Sequence, residues 1–420
     1  MTTAAYAAAR LAGWARPARH AAQIPVLPNS AAPGISVVIP SRNGRSLLET
    51  QLTGIAADLV SMQAEIVVVD NGSNDGTAEW LHETWPQVAI EISSDPLSFA
   101  AAVNRGIRLA RFSRVCLLNN DMQIEPGFFA ALLDAFAKVP DLFCATAQIR
   151  FPAGVRREET GKAVMAQAAP EDFPIRCDEP VPGEDGTWVL YGSGGCSAYD
   201  AAKLRALGGV DEAYAPAYVE DLDLGYRAWL RGWPSVYVAG AVVEHRHRAT
   251  TSRYYTEEQL AIVLEINHLK FLARAVASPR VFRRLWRQAL GRLRLRAATD
   301  PAARAALRAA ARLALSGGNE SQTSPPAIAE ESLLALTDGS VACFPGRATP
   351  RKPPALITAR GFDSATGDDT AGAVLLVHVD RLTPPPAHLL ARFAEIVEAR
   401  GDAAFEAASP WVRRKWRIAD

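Results

Sequence analysis

Short runs of β-branched residues alternate with segments of helical periodicity along the first third of the chain. Strand-length apolar runs lie at residues 35–40, 65–70, 88–92 and 114–119, and helical segments separate them at 46–60, 77–84 and 100–110. Buried parallel strands are apolar on both faces and need a crossover helix between them. The alternation therefore predicts right-handed βαβ units and an α/β fold, with a parallel sheet covered by helices on both faces.

The rest of the chain divides by composition. Residues 150–190 are Pro-rich and irregular, regular structure returns from Trp188, and 256–315 has an almost continuous helical pattern. The sequence SGGNESQTSPP then has the composition of a linker. The predicted units are a flexible N-terminal tail at 1–34 with room for a short helix before Pro17, a main domain at 35–255, a helical extension at 256–315, a linker at 316–330, and a small appended α/β module at 331–420.

Three polar clusters follow predicted strands directly, at Pro40–Asn43, Asp70–Ser73 and Asn119–Asp121. Ligands of parallel α/β sheets bind at the carboxyl ends of the strands, so the clusters indicate a site. Asp70 and Asn71 suit a base or ribose, although an Asx turn is an equally good interpretation. One carboxylate beside two amides at 119–121 suits a hard divalent cation, although a plain turn is again the alternative.

Two further motifs carry ionisable side chains. Glu220, Asp221 and Asp223 lie at the start of a predicted helix over 218–229, where a carboxylate could act as a general base or could simply complement the helix dipole. His245 and His247 follow a predicted strand at 235–243. A histidine there could bind a metal, and solvated surface histidines are the alternative.

Charge and cysteine content narrow the function further. Lys+Arg and Asp+Glu are both 45, which argues against a protein whose whole surface binds nucleic acid. The five cysteines show no CxxC spacing, which fits a reducing compartment. No apolar run approaches the ~20 residues of a membrane span, and the N-terminal stretch lacks a signal-peptide core. We expect a cytoplasmic protein, either free or peripheral at a membrane.

The order of the motifs resembles that of the family 2 inverting glycosyltransferases of GT-A fold, many of which transfer rhamnose or related sugars to bacterial cell-surface glycans. The resemblance covers about residues 35–250, and the stretches that carry it are ISVVIPSRNG, EIVVVDNGSNDGT, FAAAVNRGIRLAR, RVCLLNNDMQIEPGFF, GSGGCSAYDAAKLRALGGVDEAY, YVEDLDLGYRAWLRGW and VVEHRHRATTS. The resemblance implies a mixed, mainly parallel sheet. It also implies transfer from a nucleotide-diphosphate sugar (UDP-, dTDP- or GDP-linked) to a glycan or lipid-linked acceptor.

The resemblance also implies a role for individual residues. Those at positions where the family holds the nucleotide and donor are Pro40, Ser41, Arg42, Asp70, Asn71, Asn104, Arg105, Asn119 and Asn120. Asp121, at the end of the family's DxD motif, would bind Mg²⁺ or Mn²⁺, with His245 as a late metal ligand. Asp221 matches the general base, with Glu220 beside it, and Gly192–Cys196 matches the loop on the acceptor side.

Three departures from the family pattern qualify these expectations. Asn119 replaces the first Asp of DxD, which leaves the metal fewer carboxylates. Arg42 replaces an aromatic residue after the first strand, so contact with the base would be a cation–π contact. The QxxRW motif of processive synthases is missing, which predicts one sugar per encounter. The alternatives are a nucleotidyltransferase and a catalytically impaired sugar-nucleotide-binding scaffold, the latter favoured only by Asn119.

A basic amphipathic segment lies in the helical extension. Arg280–Arg296 contains seven arginines, and its apolar residues, including Phe282, Leu285 and Trp286, recur with helical spacing on the opposite side. Such a helix can bind an anionic membrane surface through its apolar face. The alternative is a helix that packs on the protein and leaves its basic face in solvent.

Overall fold

The computed structural model of the chain describes most of its first three quarters and short parts of the remainder. The described residues are 2–16, 31–139, 141–152, 158, 161, 172–175, 185–246, 253–316, 326–337, 341–344, 356–357 and 374–378. They contain a nine-stranded mixed sheet with its covering helices, a bundle of long helices, and a small three-stranded sheet.

The large sheet contains the predicted strands. Its members are β1 (Ala32–Ser41), β2 (Ala64–Asn71), β3 (Ala89–Ser93), β4 (Phe112–Leu118), β5 (Met122–Ile124), β6 (Cys144–Arg150), β7 (Trp188–Val189), β8 (Cys196–Asp200) and β9 (Ser235–His245). Their spatial order is β3-β2-β1-β4-β8-β6-β9-β5, with β7 beside β9. The first four in space run parallel, and β8 is antiparallel to both neighbours. The predicted α/β class and mixed sheet are confirmed.

Helices cover both faces of this sheet, as predicted. They are α2 (Arg45–Leu59), α3 (Thr77–Thr84), α4 (Phe99–Leu109), α5 (Phe128–Lys138), α6 (Ala201–Ala206) and α7 (Glu220–Leu230). Val37 and Ile39 pack with α2 and α5, whereas Val38 packs with α4 on the opposite face. Gly106 lets α4 approach closely, because a Cβ there would collide with the side chain of Val38.

The helical extension consists of α8 (Glu257–Ala275), α9 (Pro279–Arg296) and α10 (Pro301–Ser316). A further helix, α1 (Thr2–Trp14), packs against α9 and α10. The indole of Trp286 donates to the carbonyl of Ala9 at 3.0 Å, and Arg16 donates to the carbonyls of Ala273 and Val276. The helix before Pro17 is therefore present. The expectation of a flexible tail is wrong for residues 2–16, because small residues such as Gly13 let α1 dock tightly on Trp286.

The apolar side of α9 faces the protein. Phe282, Leu285 and Trp286 are 1%, 0% and 3% exposed. The alternative of a packed helix with a solvated basic face is thus the correct one, and the expected insertion of this apolar face into a membrane is wrong. No helix in the described parts of the chain combines the length and apolarity needed to cross a bilayer.

The last described segments bear on the predicted linker. Ile328 is buried, Ala327 N–H donates to the carbonyl of Leu230, and α11 (Glu330–Leu336) follows. Residues 326–330 are therefore packed on the main domain, while 317–325 lie outside the described residues. Three strands of the appended module, β10 (Val341–Phe344), β11 (Leu356–Ile357) and β12 (Val374–His378), form a sheet, and the module's other residues after 337 lie outside the described ranges.

Candidate functional site

The polar clusters at the strand ends meet at one edge of the sheet. Ser41 on β1 pairs with Asp70 on β2. The amide of Asn120, just after β4, donates to Ser41 Oγ at 2.9 Å, and Gly44 leaves room for this contact because a Cβ there would collide with Asn120. The structure thus brings together the three clusters that the sequence indicated.

Two of the predicted donor-side residues brace neighbouring loops. Asp70 is buried and accepts from the Ser73 N–H at 3.1 Å, which is the Asx turn of the alternative interpretation. The amide of Asn71 both donates to and accepts from the backbone of Leu97. Asn71 therefore holds the 95–98 loop beside the site through one amide proton and its carbonyl oxygen.

Asn104 and Arg105, on α4, have protein partners. The two amide protons of Asn104 bind the Val210 carbonyl at 2.8 Å and Glu212 Oε1 at 2.9 Å, and its oxygen accepts from the Val210 N–H. Arg105 lies 3.5 Å from Glu91 on β3. The expected direct contact of Asn104 with the donor is therefore not supported, because its amide is used to fix the loop before α7.

Arg42 already has an aromatic partner. Its guanidinium lies 3.8 Å from the ring centroid of Tyr254, and the Tyr254 hydroxyl accepts from the amide of Asn43 at 2.8 Å. Tyr254 was not singled out in the sequence. Its only signal was an aromatic residue downstream of a strand-end histidine. A cavity of about 700 Å³ beside this pair is lined by Asn43, Arg45, Ser46, Glu49, Asn74, Asp75, Arg253 and Tyr254.

Asp121 and His245 converge at the other side of the strand ends. Met122 pairs with His245 across β5 and β9, and the Asp121 carbonyl accepts from the Arg246 N–H. His245 Nε2 lies 3.6 Å from Asp121 Oδ2, and Nδ1 lies 2.6 Å from Glu158 Oε2. Glu158 comes from the irregular excursion, where no sequence pattern marked it. The other candidate, His247, is outside the described residues.

The side chains around His245 favour a positive charge on its ring. Burial would lower the pKa of His245, but its contacts with Asp121 and Glu158 outweigh burial and raise that pKa to about 9. Asp121 and Glu158, on either side of the His245 imidazole, place negative charge here that a divalent cation could neutralise. In the described part of the chain, no group of three or more side chains is arranged to hold a metal alone.

The donor set nevertheless fits a divalent cation that is shared with a substrate. Such ions are commonly bound by one or two carboxylates, with phosphates supplying further ligands. Glu158 binds Nδ1 of His245 and leaves Nε2 facing Asp121, which is the way an outer carboxylate usually orients a ligating histidine. Asp121 and His245 would therefore hold the ion, and Glu158 would orient His245.

The base candidates lie at the start of α7. This helix begins at Glu220, later than the predicted 218, because Tyr218 and Val219 have φ of 74° and 78°. Left-handed backbone is costly for a β-branched residue and needs support from its surroundings. Asn267 on α8 gives that support, since its buried amide lies within hydrogen-bond distance of the carbonyls of Tyr214, Ala217 and Tyr218.

Asp221 faces the glycine-rich loop that precedes β8. One carboxylate oxygen accepts from its own helix at Leu222 N–H, and the other is 3.5 Å from the Gly194 N–H. The next residue of that loop, Gly195, accepts from the Asn119 N–H at 2.8 Å and would clash with the Asn119 side chain if it had a Cβ. Residues 193–195 thus connect the metal-side strand end to Asp221.

The three carboxylates of α7 have different surroundings. Glu220 is buried, and its Oε2 has no hydrogen-bond partner among the described residues. Burial, and then the charges of Asp221 and Asp223, raise the pKa of Glu220 to about 8. Burial also raises the pKa of Asp221, against the lowering effect of the Leu222 and Gly194 N–H groups. Asp223 is bound by Tyr214 and Arg227, which gives it a structural role.

A family model described as "Glycosyltransferase like family 2" matches residues 33–261, slightly more than half of the chain. The chain therefore belongs to this family and is a glycosyltransferase that takes its sugar from a nucleotide sugar. The expected resemblance is confirmed, and the nucleotidyltransferase alternative is set aside.

The individual proteins that the chain resembles are distant relatives in sequence. An N-acetylglucosaminyl-diphospho-decaprenol L-rhamnosyltransferase of Mycobacterium tuberculosis is 31% identical over 212 residues, which are 45% of this chain and 68% of the relative. A validoxylamine A glucosyltransferase of Streptomyces hygroscopicus subsp. jinggangensis is 27% identical over 230 residues, 48% of this chain and 53% of that protein.

Solved structures give lower similarity. A mannosyltransferase from Pyrobaculum calidifontis, in complex with GDP-Man and Mn²⁺, superposes with a TM-score of 0.45 at 19% identity and covers 74% of this chain and 85% of its own. TarS of S. aureus, in complex with UDP-GlcNAc, has a TM-score of 0.44 at 14% identity, with coverage of 63% and 72%.

Proposed function

We propose that this protein is a metal-dependent, inverting and non-processive glycosyltransferase. It moves one sugar from a nucleotide-diphosphate sugar to a hydroxyl of a glycan or lipid-linked acceptor. The observation that supports this most strongly is the placement of loop 193–195, which contacts Asn119 on the metal side and Asp221 on the base side. The anomeric carbon of a donor held at Asp121 would thus lie between the metal side of the site and Asp221.

The metal-binding and nucleotide-binding parts of the site have different roles. Asp121 and His245 hold the cation, and the cation, when bound, supplies Lewis-acid stabilisation of the departing diphosphate. The strand ends at Pro40, Ser41, Arg42 and Asp70 bind the nucleotide, with Tyr254 stacked on Arg42. Asn119 and Asn120 line the same edge. Besides the cation, Arg105 would supply positive charge near the donor.

Asp221 is the general base. It accepts the proton of the acceptor hydroxyl while that oxygen attacks the anomeric carbon opposite the diphosphate, which inverts the configuration at that carbon. A pKa raised by burial makes Asp221 a stronger base than an exposed aspartate, in keeping with Brønsted behaviour. Glu220, with its pKa near 8, remains protonated at neutral pH and so adds no competing charge beside Asp221.

The names of the relatives support the choice of donor and acceptor only as classes of molecule. The names of the relatives include a rhamnosyltransferase acting on a diphospho-decaprenol-linked sugar and a glucosyltransferase, and the solved structures hold GDP-Man and UDP-GlcNAc. We include rhamnosyl or hexosyl transfer, in bacterial cell-surface or cell-wall polysaccharide synthesis, in the proposal. A lipid-linked acceptor places the enzyme at the cytoplasmic face of the plasma membrane.

Thermal stabilisation by donors tests the site. A ligand that binds only the folded state stabilises it by RT ln(1 + [L]/Kd). We expect one class of UDP-, dTDP- or GDP-sugar to raise the Tm with Mn²⁺ present, and the same sugar to be slowly hydrolysed. Asp121→Ala should abolish both effects, whereas Asp134→Ala, on the exposed surface of α5, should change neither.

Other outcomes separate the alternatives. Donor binding without transfer or hydrolysis in the wild type would favour the impaired, scaffold-like alternative. Full activity in excess EDTA, or in Asp121→Ala, would exclude the proposed metal role.

A further inference from the structure

The solvated side of α9 carries a row of arginines. Its members, called the basic stripe below, are Arg280, Arg283, Arg284, Arg287 and Arg294. Their spacing of three, four and seven residues places them on one face of the helix. All five are exposed, because the opposite side of α9 is buried against α1 and the rest of the bundle.

Among the described residues, little negative charge offsets this stripe. Helices α1, α9 and α10 contain no Asp or Glu. Carboxylates near α9 bind other arginines, since Glu265 pairs with Arg292 and Arg296, and Asp300 pairs with Arg296. In the described parts of the chain no ion pair joins a carboxylate to a member of the stripe, and Glu331 alone contributes an acid to the groove beside it.

Exposed apolar side chains border the basic stripe. Trp14 and Leu11 on α1 are 74% and 72% exposed. The guanidinium of Arg283 lies 5.1 Å from the ring centroid of Trp14, so the two features form one surface. At the other end, Arg294 lies over Tyr6 and Leu295 is 59% exposed.

We propose that the surface formed by the basic stripe of α9 and by Leu11 and Trp14 of α1 docks on an anionic lipid bilayer. Arginines attract the negative surface of such a membrane, and tryptophan and leucine partition into the interface just below the headgroups. The side chains that enter the interface come from α1. The apolar stripe of α9 stays in the bundle core.

An anionic bilayer suits this surface better than a nucleic acid does. The basic stripe belongs to a protein whose net charge is zero, and the side chains next to it include aliphatic and indole groups exposed to water. A polyanion without an apolar phase would leave Leu11 and Trp14 in solvent. The inference does not depend on the proposed chemistry, although a lipid-linked acceptor would make such docking useful.

Vesicle sedimentation tests the inference with the full chain. The protein should bind vesicles that contain phosphatidylglycerol, should bind pure phosphatidylcholine vesicles much less, and should be released as salt is raised. In the double variant Arg283→Glu/Arg287→Glu, vesicle affinity should fall about tenfold or more, since two attractions become repulsions. Trp14→Ser should weaken binding at low salt with an unchanged salt dependence.

A matched control removes the effect of net charge. Arg108→Glu/Lys138→Glu changes the same number of charges at exposed positions of α4 and α5, and it should leave vesicle binding unchanged. Equal loss in both double variants, no binding by the wild type at low salt, or tight binding to an RNA oligonucleotide without binding to vesicles would overturn the inference. Donor hydrolysis without vesicles should be unchanged in Arg283→Glu/Arg287→Glu, so failure here is distinct from failure of the proposed function.

Discussion

Helices α7 and α9 carry dense charge of opposite sign, and the fold places the two charged faces in opposite environments. The acidic first turn of α7 points into the protein, where Glu220 and Asp223 are buried. The arginines of α9 mostly point into solvent, while its apolar residues are buried. The same kind of amphipathic pattern therefore has two different outcomes in one chain.

The difference shows which charges are costly to keep. A solvated arginine costs little, whereas a buried carboxylate without a partner costs several kcal/mol or shifts its pKa. Arg292, the buried arginine of α9, is compensated by Glu265, and Asp223 of α7 is compensated by Arg227. Glu220 has no such compensation, and perturbed groups of this kind cluster at functional sites. We infer that α7 serves chemistry and that α9 serves an interface.

The largest expected effect concerns Asp221. Asp221→Asn keeps the shape of the side chain but cannot take a proton near neutral pH, so turnover should fall by ~10²–10⁴-fold. Donor affinity should hardly change, because the donor is bound by the strand ends and the metal. Asp223→Asn is the contrast, since loss of its pair with Arg227 should lower the Tm. Steady-state kinetics and donor titrations distinguish the two. Near-wild-type turnover in Asp221→Asn would assign the base to another carboxylate.

The second prediction concerns the buried side of α9. Trp286→Ala removes an indole that fills the contact with Gly13 and donates to Ala9, so unfolding should become easier by about 3–5 kcal/mol. Chemical denaturation measures this change. Arg287→Ala, one position further and exposed, is the control and should shift stability by less than about 0.5 kcal/mol. If Trp286→Ala keeps the stability of the wild type but loses vesicle binding, then the apolar face of α9 contacts the membrane, as the sequence first suggested.

The third prediction concerns the link between the bundle and α7. Asn267→Ala removes a buried amide that lies within hydrogen-bond distance of three carbonyls before Glu220, which should cost about 1–3 kcal/mol of stability. The left-handed turn at Tyr218 and Val219 should relax and misplace Asp221, so kcat should fall while KM for the donor stays unchanged. Glu258→Ala, exposed on the same helix, should have neither effect. A lower Tm with wild-type kcat would make Asn267 purely structural.

The last prediction concerns Glu220 and the pH dependence of stability. Its pKa is raised from an ordinary value of 4.5 to about 8, so the folded state holds the proton more tightly than the unfolded state. Its contribution to stability is full below the lower value and is lost as pH rises through the higher one. Glu220→Gln should therefore gain Tm relative to the wild type between pH 5 and pH 8, by about 2–4 °C for each kcal/mol.

Calorimetric scans across that range give the difference between the two proteins directly. Glu83→Gln, at an exposed position of α3, should show no such trend. A constant difference between Glu220→Gln and the wild type at all pH values would mean that Glu220 titrates normally.

Local pattern was enough to predict the strands, the covering helices and the order of the site motifs. β1, β2 and β4 were recognisable because buried strands are continuous apolar runs, and their polar ends meet because parallel strands share an edge. Asp121 and Asp221 were marked by motif and position. These features depend on residues that are close together in the sequence.

Only the tertiary structure decided which polar side chains have protein partners and which helix faces are covered. Asn71 and Asn104 match the motifs of a donor site, yet their amides bind the backbone of Leu97 and Val210. Trp286 meets Ala9, which lies 277 positions away, and no periodicity within α9 can reveal that partner. A helical stripe shows that a face will be buried, but the surface that buries it depends on contacts between distant segments of the chain.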